Sequence, residues 1–288
     1  RITDQCREPA PVLVEEAPAL PEPTPREGPP EFILQVTRAD QLTADLAETA
    51  PDRLYVPGEL LAAVPDGLAP FLERGTPITA VLPRIVTDEE RPDLRELLAT
   101  LKAMGIHEAL VGSLGLIPAV REAGMLPRGD FGLNLSNARA IRRIGGAGLG
   151  SVTASFQLSA QQIRRLSGFG NVEMIIYGRV PVMLAESCVI RQSSGRCSCS
   201  TPTSMSDAFG NVYPVARDFG CRNVIYDARK IFLADKPEVY ENAGLWGVRL
   251  LFTTESAREC ADVARRYRGQ NRYLPNNTSR GLYGKGAL

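Results

Sequence analysis

The sequence predicts an α/β fold in which eight parallel strands close into a TIM-like (β/α)8 barrel, with a cysteine-containing insertion between the seventh and eighth strands. Three observations carry this reading. Eight short apolar, β-branched runs fall at 32–36, 53–56, 78–82, 108–111, 131–135, 151–155, 173–177 and 248–252. The first seven recur every 20 to 30 residues, with helix-like segments such as 39–46, 94–104, 138–144 and 160–166 between them, which is the rhythm of strand–helix crossovers. Runs that are apolar throughout belong to a sheet covered on both faces, and closure of such a sheet leaves no edge to protect.

Residues 1–31 hold eight of the 22 prolines without helical or strand period, and read as an extended Pro/Glu-rich linker ahead of a barrel at 32–288. They carry three Arg against seven Asp or Glu, net −4, so the remainder must carry +4 for the 33 basic and 33 acidic residues to balance. A neutral chain is no strongly basic nucleic-acid binder, yet a mildly basic body admits an anionic partner. The helix at 138–144 has Asn137 or Ser136 as its N-cap. The glycine-rich stretch 145–150 precedes a strand instead of following one. It therefore fails the context of a dinucleotide-binding loop and reads as a turn.

The insertion at 178–247 holds four of the six cysteines. Within it, 212–215, 224–226 and 231–233 read as short strands of a local antiparallel ribbon, and after the eighth strand a helix at 254–267 and an irregular tail at 271–288 complete the chain. No run approaches the roughly 18 apolar residues of a membrane span, and no leader peptide opens the chain. The expectation is a cytoplasmic protein without a membrane partner. The proline-rich start without an initiator Met leads us to expect a piece of something longer.

In a βα barrel the loops that follow the strands form the functional face, so the insertion is the first place to look for chemistry. Cys188, Cys197, Cys199 and Cys221 lie within it, with Cys6 and Cys260 elsewhere. In a reducing compartment, clustered thiols bind metal more often than they form disulfides. Their spacing is not that of paired Cys-x-x-Cys zinc knuckles, which favours an iron–sulfur centre over zinc; the alternative is that they only fill the core. Ahead of them, Tyr177 and Glu186 are candidate proton donors or orienters, and Arg179 offers a planar fork to a carboxylate or phosphate at the barrel mouth. The plainer alternative pairs Arg179 with Glu186 and leaves both structural. His107, the single histidine, opens the fourth strand on the stability side of the barrel. Without a second histidine there is no HExxH site, and a Ser-His or Cys-His pair would have to use this poorly placed residue. Arginines at 139, 142, 143, 164, 165, 265, 266 and 268 read as solvated helix faces, or with Tyr267, Tyr273 and Tyr283 as an RNA surface.

The segment from Ile175 through Tyr177, Gly178, Arg179, Pro181 and Met183 to Glu186 and Cys188 resembles the signature of peptidase family U32, the collagenase-like family. Asp218 followed by Cys221, Arg222 and the run to Asp227 is similar to that family's Asp, Cys-Arg and ribbon, and Thr278, Arg280, Gly281 and Gly286 resemble its closing motif. The resemblance covers about residues 32 to 288 and implies the carboxy-terminal half of a long family member. It further implies a βα barrel with a 4Fe-4S cluster on Cys188, Cys197, Cys199 and Cys221, supporting oxygen-independent hydroxylation of RNA or an aromatic metabolite. Cys197 and Cys199 match in place and depart in spacing, because one residue separates them. The expected catalytic set is Tyr177, Arg179 and Glu186, and the expected substrate-binding set Arg179, Arg222 and Arg280. Expected partners are RNA or a small anionic substrate, and a second U32 half or subunit. The alternatives are a collagenase-like peptidase and a non-catalytic RNA-binding subunit.

Overall fold

In the computed structural model, which describes residues 19–196 and 203–284, seven strands run parallel in sequence order. They are β1 (Glu31–Gln35), β2 (Arg53–Pro57), β3 (Ile78–Val81), β4 (Glu108–Val111), β5 (Leu126–Gly129), β6 (Val152–Thr153) and β7 (Val172–Gly178). After an insertion of five further strands, β8 (Pro181–Ala185), β9 (Thr203–Ser206), β10 (Val212–Arg217), β11 (Asn223–Tyr226) and β12 (Lys230–Phe232), the eighth barrel strand β13 (Gly247–Leu251) pairs in parallel with both β7 and β1. The chain is a closed (β/α)8 barrel.

The outer layer is formed by α1 (Ala44–Ala47), α2 (Gly58–Ala63), α3 (Ala69–Leu72), α4 (Arg91–Ala103), α5 (Leu116–Glu122), α6 (Ala138–Gly145) and α7 (Ala160–Leu166), and, beyond the α8 (Val189–Ser194) of the insertion, by α9 (Ala257–Tyr267). Local chemistry sets several of their ends. Asn137 caps α6 by accepting the Ala140 amide, and Ser159 and Ser256 open α7 and α9 with capping boxes. Outward strand residues such as Leu34, Leu54, Ala80, Val111 and Val248 pack against Leu46, Leu61, Leu98, Leu101, Ile141 and Val263 of the helices.

The inward positions are not apolar throughout, contrary to a reading of the strands as hydrophobic on both faces. Arg249 is fully buried on the barrel axis. Its guanidinium donates to Glu173, to Gln35 Oε1 at 2.7 Å, to Asp130 Oδ1 at 2.9 Å and to Thr153 Oγ1 at 2.5 Å. The Tyr55 hydroxyl donates to the other Glu173 oxygen at 2.8 Å. Toward the amino-terminal end, Glu108 accepts from Arg128 Nε and Nη2, both at 2.8 Å, from Thr79 Oγ1 at 2.9 Å and from Arg53. Burial alone would raise the Glu108 carboxyl, but the Arg128 hydrogen bonds and the charges of Arg128 and Arg53 hold it below its ordinary value. Trp246 lies between the two guanidiniums, 4.6 Å from Arg128 and 5.5 Å from Arg53.

Two sequence expectations are corrected. The fifth strand is Leu126–Gly129, and the expected strand at 131–135 is instead a turn at Phe131–Leu133 ending on Asn134 with φ +49°. Strand β12 does not join the ribbon of the insertion: it pairs antiparallel with Tyr177 and Gly178 at the end of β7, and in parallel with β14 (Thr278–Ser279) of the tail. The four-stranded antiparallel sheet of the insertion has the order β8-β11-β10-β9. The proline-rich segment is docked from Thr24 onward, whose amide donates to the Gly168 carbonyl at 2.8 Å, while Arg26 reaches the Trp246 carbonyl at 3.5 Å.

Candidate functional site

The carboxy-terminal strand ends converge on a mouth floored by Phe131, Ile175 and Leu251, with Phe156 beside them. Arg84 follows the exit of β3, and its side chain crosses the exit of β4. Gly112 makes that path possible, since a Cβ there would meet Arg84 Cγ at 3.0 Å. The guanidinium carbon comes to rest 5.2 Å from the centre of the Phe131 ring. No ion pair or hydrogen bond engages Arg84 among the described residues.

The sheet of the insertion docks against the β3–α4 loop through Arg222, which is buried and uses its whole fork. Nε and Nη2 donate to Glu186 at 2.7 and 2.9 Å, Nη1 and Nη2 to Glu90 at 2.9 and 3.1 Å, and Nη1 also approaches the Ile85 carbonyl at 3.4 Å. The Arg222 hydrogen bonds, followed by the Thr87 amide, hold the Glu90 carboxyl below its usual range. Asp218 precedes this clamp, its amide donating to the Arg222 carbonyl at 2.7 Å. Burial pushes its carboxyl above the ordinary value, against the Phe219 amide and the positive charges of Arg222 and Arg84.

Strand pairing aligns Asn223 with Ala185. Cys221 lies two residues before that pair and Cys188 three residues after it, so the antiparallel ladder delivers both to one end. Both are free thiols, Cys221 exposed with φ +64° and Cys188 half-buried, its sulfur accepting the Arg191 amide at 3.4 Å to start α8. Cys197 and Cys199 lie outside the described residues, and among the described residues no three His, Cys, Asp or Glu side chains are grouped to hold a metal ion. Cys260 is buried under α9, where desolvation raises its thiol.

The other expected site residues are already engaged. Tyr177 is fully buried, packs on Phe252 and Tyr267, and donates to Glu255 Oε1 at 3.1 Å. Burial, then the Glu255 charge, drives its phenol far above the ordinary value. Arg179 donates to the carbonyls of Asp227, at 2.8 Å, and Ala228. It does not pair with Glu186. Arg280 forks onto Asp235, with Oδ2 at 2.5 Å, and reaches the Phe232 carbonyl at 2.6 Å. His107 is exposed at the amino-terminal end, its Nδ1 3.2 Å from Lys102 Nζ. The hydroxyls of Tyr267 and Tyr283 donate to the Ile176 and Ile175 carbonyls at 2.7 and 2.6 Å, and Tyr273 donates to Glu259 at 3.2 Å. Sequence reading missed Arg84 and gave Asp218 no role. Their signal was position: Arg84 is a charged residue just past an apolar strand, on the functional face.

The class defined by these observations is a (β/α)8 barrel whose seventh βα connection is expanded into an antiparallel sheet at the mouth. No protein-family model matches the chain, and no curated protein does. Among solved structures it is similar to native KDPGal, at 13% identity and TM-score 0.49 over 83% of this chain and 93% of that one. It is also similar to a U32 peptidase, at 10% and 0.48 over 83% and 98%, and to the tryptophan synthase complex of Pyrococcus furiosus, at 13% and 0.45 over 84% and 98%.

Proposed function

We propose that this chain is an enzyme of the U32 type, working at the carboxy-terminal mouth of its barrel beside a metal centre. The centre is an iron–sulfur cluster, with zinc as the alternative, bound by Cys188 and Cys221 together with Cys197 and Cys199. The observation that carries the reading is the delivery of two free thiols to one end of the β8–β11 ladder. A pair of soft ligands so placed suits either metal. When bound, an iron–sulfur cluster supplies electron transfer, in keeping with the oxygen-independent hydroxylation that the sequence resemblance implies. Within this reading Arg222, Glu186 and Glu90 hold the cysteine-bearing end against the barrel, while Arg179 and Arg280 fix the insertion and tail. Substrate contact falls to the mouth itself. Proteolysis through a histidine has no support, since the only histidine lies exposed at the opposite end of the barrel.

The test is anaerobic purification followed by iron, sulfide and zinc assays. Iron and acid-labile sulfide in comparable amounts, lost in Cys221→Ser, are expected. Zinc without sulfide favours the alternative, and metal-free protein overturns both.

A further inference from the structure

We infer that the barrel mouth binds a small organic anion, holding its charged group on Arg84, its apolar body on Phe131, Ile175 and Leu251, and a distal hydrogen-bonding group at Thr253. The inference deepens the proposed function, resting on its assignment of substrate to the mouth, and does not need the metal centre. Three observations converge. Arg84 makes no hydrogen bond or ion pair among the described residues and is guided across the mouth by Gly112 onto an aromatic face, and a guanidinium so placed is preorganised for a carboxylate or phosphate oxygen. Phe131, Ile175 and Leu251 form one apolar cluster that carries the floor from beneath Arg84 to the end of β13. Thr253 continues the inward phase of β13 two residues beyond Leu251, is buried, and its hydroxyl finds no partner among the described residues. A buried hydroxyl without a partner is costly in a finished fold, and a ligand's polar end would satisfy it.

The test is calorimetric titration of the full chain with ω-hydroxycarboxylates of about four to eight carbons, the matching plain carboxylates, the matching alcohols, and inorganic phosphate. Expected are binding of the carboxylates, little binding of alcohols or phosphate, and a several-fold preference for the ω-hydroxy compound at the best length. Arg84→Met weakens every carboxylate by about tenfold or more, whereas Arg84→Lys, which keeps the charge but loses the stacked planar fork, falls between the parent and Arg84→Met. Thr253→Val keeps the side-chain shape, leaves plain carboxylates unchanged and erases the hydroxyl preference. Alcohols or phosphate binding as well as carboxylates, affinity surviving Arg84→Met in a protein that melts normally, a preference surviving Thr253→Val, or silence from every probe overturns the inference. Repeating the titration with Cys188→Ser/Cys221→Ser separates the two proposals: metal loss with binding intact leaves this one standing, and a metal-replete protein that binds no probe refutes it alone.

Discussion

An ionised Asp218 sits where burial disfavours its charge by more than the Phe219 amide and the nearby charges of Arg222 and Arg84 offset it. Because the folded-state pKa is raised, the folded protein binds more protons than the unfolded chain between the two values. Stability therefore falls as pH rises through that window and stays reduced above it. Asp218→Asn should accordingly raise the melting temperature at neutral pH, with a gain that shrinks as the pH is lowered toward the ordinary carboxylate range. A variant no more stable than the parent at neutral pH would contradict this. Such a penalty is characteristic of a residue retained for function. Arg222 has the opposite character, since both carboxylates on its fork are matched. Arg222→Met leaves Glu90 and Glu186 without their partner and should release the insertion at a cost of about 1 to 3 kcal/mol. Faster cleavage by a protease within 179–246, with an undisturbed barrel, is the expected readout.

Gly178 shows what an element boundary demands. Its φ is +124°, and a Cβ would fall 2.2 Å from the Leu251 carbonyl oxygen, at the end of β7 where one edge pairs with β13 while the other has passed from β6 to β12. Gly178→Ala combines strained backbone with a backbone clash and should destabilise by about 3 kcal/mol or more in denaturant titration. By contrast, Asn137→Ala removes a single cap from α6 and should cost about 1 kcal/mol. Elements with local signals were legible in the sequence: of the two caps offered for α6 Asn137 is the one used, and the run 173–177 and the turn at 145–150 lie where the pattern put them. Strand five was not, because Leu126–Gly129 contains Pro127, Arg128 and Gly129 and has no apolar run. Its inward Arg128 is satisfied by Glu108 from the neighbouring strand and by Ser151, both distant in sequence.

For the whole molecule, the barrel axis is a charge network and not a hydrophobic plug. Arg249 compensates Glu173 and Asp130 where water cannot. Arg249→Met would strand both carboxylates and should destabilise by about 3 to 5 kcal/mol at neutral pH. The deficit should narrow on acidification, because uncompensated buried carboxyls take up protons in the folded state more readily than in the unfolded one. A uniform deficit across pH in thermal melts would show that packing, not charge, is what Arg249 provides. The charged inward positions follow period two in the sequence, as Arg53 with Tyr55, Glu108 with Leu110, Arg128 with Asp130, Glu173 with Ile175 and Arg249 with Leu251. Averaging over apolar runs hid them.

The sequence by itself determined the parallel βα repeat and its closure into a barrel, because strand period and crossover length are properties of neighbouring residues. Tertiary structure alone decided which polar groups remain available. Arg179, Arg222 and Arg280 look as suited to a ligand as Arg84 until Asp227, Glu186, Glu90 and Asp235 arrive from distant segments to occupy them. A hydrogen-bond donor's freedom depends on everything folded around it, and no local stretch of chain encodes that.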